Sequence, residues 1–151
     1  MKTAADIMTK TVLTVAPDSL VSKVAGIILE QGVTALPVVD DDRRLLGIVS
    51  EGDLVRSAEA MRDTRRSWWL TLLTTSTTDL KEVLGQGDRK VEEVMSRDIL
   101  LAQESDSLKK LIAMLSRRRI KQLPIVRDGK LVGIVSRIDI LRYLAREKVN
   151  V

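Results

Sequence analysis

The sequence predicts an α/β fold in which one β-α-β-β-α unit is used twice, with a helical insert between the copies. Two observations carry that expectation. The phrase Gly47-Ile48-Val49-Ser50-Glu51-Gly52-Asp53-Leu54-Val55-Arg56 returns as Gly133-Ile134-Val135-Ser136-Arg137-Ile138-Asp139-Ile140-Leu141-Arg142. Each reads as a short buried strand, a tight polar corner and a helix. The stretches ahead of the phrase also correspond: Met8 to Thr14 answers Met95 to Leu101, and Val33 to Val39 answers Ile120 to Val126. The expected boundaries are residues 1–57 for the first repeat, 58–90 for the insert and 91–151 for the second repeat.

Taken in order, Met1 to Met8 is a short amphipathic lead-in, and Val12 to Val15 is a strand candidate stopped by Pro17-Asp18-Ser19. Asp18 or Ser19 is placed to cap the next helix. In that helix Val21, Val24, Ala25 and Ile28 recur at helical spacing, and Gly32 is placed to end it. Val33 to Val39 is nearly all apolar, as in a strand covered on both faces. Pro37 cannot donate to a ladder, which puts that strand beside an edge or an irregularity. Asp40 to Arg44 is a solvated turn, whereas Asp128-Gly129 gives its counterpart the shorter turn of a hairpin. In the insert, a helical stretch through Leu73 carries Trp68-Trp69, and Thr74 to Asp79 precedes a short helix from Leu80 to Leu84. The two tryptophans are expected to bury against the protein or a partner, because exposed together they would form an unusual apolar patch.

Composition removes whole classes of function. The chain of 151 residues is 44% hydrophobic, has no Phe, and counts only Trp68, Trp69 and Tyr143 as aromatic, so its core must be aliphatic. With no Cys and no His, disulfides, thiolate metal sites and histidine-based catalysis are excluded. No stretch has the length of a signal peptide or membrane span, and the expected location is the cytoplasm. A net charge of +4 favours anionic partners only mildly.

Two such repeats, each with a Leu-Pro-Val/Ile-Val strand and a Gly-Ile-Val-Ser-x-x-Asp corner, resemble a pair of CBS (cystathionine β-synthase) domains, a Bateman module. The likeness takes in everything but the insert. It implies repeats related by a pseudo-two-fold axis and two clefts that bind adenosine compounds: AMP, ADP, ATP, S-adenosylmethionine or NAD(H), with AMP or ATP favoured here. The corner of one repeat would hold ribose and phosphate, and the first two strands of the other repeat the base.

One carboxylate can accept from both hydroxyls of a ribose, in charge-assisted hydrogen bonds. Asp139 and Asp53 are therefore the expected ribose ligands, with Ser136 and Ser50 offering a hydroxyl at the mouth of each corner. Standing alone, a Ser-x-x-Asp would read as a helix cap. The helix that each corner opens also favours an anion at its first N–H groups. For the main cleft the resemblance implies a base wall of Val12, Leu13, Val33, Thr34, Ala35 and Pro37, with Ile134 beside the corner and Lys121 and Arg137 as phosphate ligands. For the second cleft it implies Ile99, Leu100, Ile120, Gln122 and Pro124, with Ile48 beside the corner and Arg119 as a compensating cation. There Glu51 stands where Arg137 does, so the Asp139 cleft is expected to be the stronger site for a phosphorylated ligand. The run Arg117-Arg118-Arg119 reads either as a solvated helix end or as a share in phosphate binding.

The resulting expectation is a regulatory, energy-sensing module with no catalytic cofactor and no metal. Its implied partners are an adenosine-containing molecule, a second copy of the chain and an effector protein. The candidate contact helices carry Leu20 to Leu29, Leu54 to Met61 and Leu108 to Leu115. Two other readings stand beside it: an interaction module with vestigial clefts, and nucleic-acid binding through the basic insert, which one aromatic pair supports thinly. An enzyme is disfavoured, because the serine of Ser-x-x-Asp has no base beside it.

Overall fold

Glycines and turn residues fix where the elements begin and end. The computed structural model describes residues 2–60, 89–117 and 120–149. Its elements are α1 (Ala4–Ile7), α2 (Val21–Gln31), β1 (Ala35–Val39), β2 (Leu45–Ser50), α3 (Glu51–Ala60), a 3-10 turn (Val91–Glu93), β3 (Ala102–Gln103), α4 (Leu108–Arg117), β4 (Gln122–Arg127), β5 (Lys130–Ser136) and α5 (Arg137–Val149). Both repeats thus have the mixed α/β composition expected, and α3 carries the first repeat as far as Ala60. Trp68, Trp69, the helix expected over Leu80 to Leu84, and Arg118 and Arg119 lie outside the described residues.

The chain forms two compact units: one of Met1–Leu13, Asp42–Leu45 and Leu100–Val151, the other of Thr14–Asp41 and Leu46–Ile99. The segment leading into each repeat therefore packs within the unit that holds the other repeat's corner. Repetition in sequence shows which residues are equivalent, but not which of them share a core.

In the unit of Thr14–Asp41 and Leu46–Ile99, the core is Val15, Val24, Ile28, Leu36, Val38, Val49, Val91 and Met95. α2 packs on α3, and β1 pairs with β2 in a two-stranded sheet. Four of the five β1 residues are buried, as an all-apolar strand requires. On its other side β1 meets, among the described residues, only Val15, whose N–H donates to the Pro37 carbonyl at 3.0 Å and whose carbonyl accepts from Val39 at 3.0 Å. Pro37 is thus at the edge that its missing N–H demands. The strand expected over Val12 to Val15 reduces to this single bridge, and its counterpart, β3, begins one residue beyond Leu101. With so little partner strand on offer, the remaining residues have no ladder to join.

The start of α2 also departs from expectation. Leu20 is the N-cap and no side chain caps it, so neither Asp18 nor Ser19 does so. Instead the Val21 N–H donates to the Arg89 carbonyl at 2.7 Å, and the Val91 N–H to the Ser19 carbonyl at 2.7 Å. A neighbouring segment thus meets the need that a cap would otherwise meet. Gly32 ends α2 as expected, at φ 64° with its N–H on the Ile28 carbonyl.

In the other unit the core is Ala4, Ala102, Leu111, Leu115, Leu123, Ile125, Val135 and Ile140. The sheet order is β3-β4-β5, parallel then antiparallel. Asp128 and Gly129 both have positive φ (53° and 79°), the conformation of a two-residue type I′ hairpin turn. Pro124 pairs with Ile134, and Ile134 turns both its backbone groups to Thr9, at 2.8 and 3.0 Å. Pro124 therefore sits in a non-hydrogen-bonded pair, and β3 meets β4 only from Ile125 onward.

The outer edges of β5 and β2 are closed in the same way. Thr9 exchanges two backbone hydrogen bonds with Ile134, and Ser96 exchanges two with Ile48, at 3.0 and 2.8 Å. Each crossing puts a methionine against a glycine. A Cβ on Gly133 would stand 2.6 Å from Met8 Sδ, and one on Gly47 would stand 2.7 Å from the Ser96 carbonyl and 2.8 Å from Met95 Sδ. The glycine of Gly-Ile-Val-Ser is thus required by the chain crossing over it. Among the described residues, no helix is long and apolar enough to cross a membrane.

Candidate functional site

Each strand-to-helix corner is closed by a capping box. At the end of β5, Ser136 Oγ accepts from the Asp139 N–H at 3.3 Å. Asp139 Oδ2 accepts in return from the Ser136 N–H at 2.8 Å and from its hydroxyl at 3.0 Å. At the end of β2 the same three bonds join Ser50 and Asp53, at 3.1, 2.8 and 3.0 Å. The serine is thus the N-cap and the aspartate the reciprocating residue one turn in. A carboxylate here is favoured by the positive end of the helix dipole.

Both carboxylates are buried, Asp53 at 5% exposure and Asp139 at 7%. Burying a charge is costly unless it is paired and hydrogen-bonded, and the second oxygen of each finds its partners from the crossing segment and the helix. Thr9 Oγ1 donates to Asp139 Oδ1 at 3.0 Å, and Ser96 Oγ donates to Asp53 Oδ1 at 3.0 Å. Arg56, one turn along α3, pairs with Asp53 Oδ1 directly. Arg142, in the equivalent place on α5, is 3.5 Å from Asp139 Oδ1. Four donors thus fill the acceptor positions of Asp53, while Asp139 is less completely engaged.

Few helix-start N–H groups remain for an anion. The Arg137 N–H donates to the Lys121 carbonyl at 3.3 Å and the Glu51 N–H to the Thr34 carbonyl at 2.9 Å. With the Asp139 N–H on Ser136, only that of Ile138 is left in the first three positions of α5 among the described residues. The chain's own carbonyl and cap thus already use most of the donors that the corner was expected to offer an anion.

A cavity of about 260 Å3 lies beside Asp139, walled by Asp6, Met8 and Thr9 on one side and Arg142, Tyr143 and Arg146 on the other. Two hydrogen bonds from Thr3, to Asp6 from its N–H (2.9 Å) and its hydroxyl (3.2 Å), hold that carboxyl below its ordinary range. Desolvation, then the nearby Glu147 and Asp6 carboxylates, push the Tyr143 phenol up.

Of the residues implied for the main cleft, Val12, Leu13, Lys121, Ile134, Ser136, Arg137 and Asp139 belong to the same unit, with Val12 half-buried and Leu13, Lys121 and Arg137 exposed. Lys121 and Arg137 are not in the wall of the cavity beside Asp139. Arg137 instead borders a separate, apolar cavity of about 280 Å3 with Ile112, Leu115, Ser116, Ile140 and Leu141. Val33, Thr34, Ala35 and Pro37 belong to the other unit, where Pro37 is buried and the rest half-buried. For the second cleft, Ile48, Ser50, Asp53 and Ile99 share one unit, while Leu100, Ile120, Gln122 and Pro124 share the other. Arg119 lies outside the described residues.

Sequence reasoning passed over Thr9, Ser96, Arg56, Arg142, Tyr143 and Arg146. The signals were present. Met8-Thr9 and Met95-Ser96 hold the same place in the two repeats, and Asp139, Arg142, Tyr143 and Arg146 are spaced as one helix face. No group of three or more His, Cys, Asp or Glu among the described residues could hold a metal ion.

Comparison with known proteins bears on this geometry. A 33.4 kDa protein in a ribosomal RNA operon of Thermofilum pendens is 33% identical over 127 residues, covering 84% of this chain and 34% of its own length. The chloroplastic CBS domain-containing protein CBSX2 of Arabidopsis thaliana is 30% identical over 150 residues, covering 90% of this chain and 61% of its own length. The chain therefore spans between about a third and three-fifths of these two relatives. Among solved structures, CBSX2 in complex with AMP superposes with a TM-score of 0.75 at 27% identity, covering 98% of this chain and 99% of that one. The CBS domain model matches twice, over residues 4–60 and 91–146. With two such domains in tandem, the chain belongs to the CBS domain family.

Proposed function

We propose that this protein is a non-catalytic regulatory module that binds an adenosine nucleotide, AMP or ATP foremost, and passes its occupancy to a partner protein. The observation that carries the reading is Asp139: a buried carboxylate, fixed by a capping box, with a second oxygen that is not fully engaged. Such an oxygen is suited to the two adjacent hydroxyls of a ribose. The AMP complex of CBSX2, at 27% identity, supports adenosine as the ligand class. In this reading Ser136 and Ile134 shape the corner, Lys121 and Arg137 meet phosphate, and Val12, Leu13, Val33, Thr34, Ala35 and Pro37 receive the base.

The equivalent set is Ile48, Ser50, Asp53, Ile99, Leu100, Arg119, Ile120, Gln122 and Pro124. There Arg56 and Ser96 already occupy the aspartate oxygen that a ribose would need. The Asp139 site is therefore the first to fill. A ligand can switch the module only if it binds two of its states unequally.

Assembly into a homodimer is part of the proposal. Leu20, Leu29, Val55 and Ile112, on the helices expected to make contact, are exposed, and so are Ile138, Leu141 and Leu144 on α5. Mass spectrometry of small molecules released from the purified protein, followed by calorimetry with AMP, ATP, NADH and S-adenosylmethionine, tests the ligand class. Absence of binding to all four at millimolar concentration would leave the interaction-module reading in its place.

A further inference from the structure

The cavity beside Asp139 has a charge pattern that a ribose does not use. Along α5 its wall is Asp139, Arg142, Tyr143 and Arg146, and opposite stands Asp6. Asp6 takes two hydrogen bonds from Thr3 on one oxygen, and Asp139 takes those of Ser136 on one oxygen and that of Thr9 on the other. The guanidiniums are more loosely held: Arg142 reaches Asp139 at 3.5 Å, and Arg146 meets no carboxylate among the described residues. At a helical rise of ~1.5 Å per residue, Arg142 lies roughly 4–5 Å and Arg146 roughly 10 Å beyond Asp139 along the axis. The cavity, at about 260 Å3, falls below the ~300 Å3 that usually encloses a whole small-molecule ligand, so it suits part of one.

We infer that this cavity is a subsite for the anionic tail of the ligand, in place of Lys121 and Arg137, which do not border it, with Arg142 meeting the charge nearest the sugar and Arg146 a charge further out. The inference rests on the proposed grip of Asp139 on the ribose. The ligand class it selects is a nucleoside di- or triphosphate over a monophosphate, whose single phosphate stops short of Arg146. Two guanidiniums against two carboxylates leave the cavity without net charge, so a free oxyanion gains little there. A tail tethered through the sugar enters at high effective concentration and needs no such attraction. Arg142 and Arg146 thus act as a gauge of tail length.

Calorimetry with AMP, ATP and tripolyphosphate, on the wild type, Arg142→Gln and Arg146→Gln, tests this. Glutamine keeps the helix propensity and removes the charge. In the wild type, ATP should bind tighter than AMP, and tripolyphosphate alone should bind far more weakly than ATP. Loss of one charge-assisted contact in Arg146→Gln should weaken ATP about tenfold and leave AMP within about twofold. Arg142→Gln should weaken both nucleotides. An ATP-to-AMP affinity ratio that Arg146→Gln leaves unchanged overturns the subsite and leaves the adenosine reading standing. A wild type that binds neither nucleotide overturns both.

Discussion

Thr9 and Asp139, 130 residues apart, are joined by a 3.0 Å hydrogen bond from hydroxyl to buried carboxylate, and Ser96 with Asp53 repeats the relationship at 3.0 Å. Removing the hydroxyl leaves a buried charge one partner short. Thr9→Val should destabilise the protein by about 1–3 kcal/mol, while Thr9→Ser should lie close to wild type. Urea unfolding of the three proteins checks this; equal stability of Thr9→Val and wild type would count against the bond.

The two aspartates should differ in binding more than in folding. Asp139→Ala and Asp53→Ala each lose a capping box, at a cost of about 1 kcal/mol. Adenosine-nucleotide binding should fall at least tenfold in Asp139→Ala and change less in Asp53→Ala, whose carboxylate Arg56 and Ser96 already occupy. Titration calorimetry beside thermal melts separates the two effects.

The glycines under the crossing segments should rank. An alanine at Gly47 would meet the Ser96 backbone carbonyl at 2.7 Å, whereas at Gly133 the nearest atom is the Met8 sulfur at 2.6 Å, in a flexible side chain. Overpacking of this kind costs about 1–3 kcal/mol. Gly47→Ala should therefore be the more destabilising of the two in chemical denaturation.

Acid should loosen the lead-in helix. Bonds from Thr3 hold the Asp6 carboxyl below its ordinary range. A folded-state value below the unfolded one stabilises above the unfolded value, and this stabilisation is lost as pH falls through the folded one. Unfolding measured between neutral pH and pH 3 should show a decline in stability below about pH 4 that is smaller in Asp6→Asn.

The sequence made the repeats legible because packing and turn chemistry recur together: Leu36 with Leu123, Val49 with Val135, and Ser-x-x-Asp at each helix start. Gly32 and the Asp128-Gly129 turn were readable from backbone preference alone. Other features turn on contacts that no local pattern encodes. α2 starts on the Arg89 carbonyl, and Thr9 reaches Asp139 only because a strand edge has drawn it there. Arg142 and Arg146 were visible as spacing, but charge on an exposed helix face ordinarily means solvation.

That residues 1–13 share a compact unit with residues 100–151 has a consequence for synthesis. The lead-in is made well before the strand edge and corner that receive it, with Thr9 lying 130 residues ahead of Asp139. The unit of Thr14–Asp41 and Leu46–Ile99 has all of its residues available earlier. The unit that joins Thr9 to Asp139 thus closes after the other, and such long-range closure slows folding. A fragment cut at the repeat boundary would separate Thr9 from Asp139 and Ser96 from Asp53, so neither repeat alone carries a complete corner.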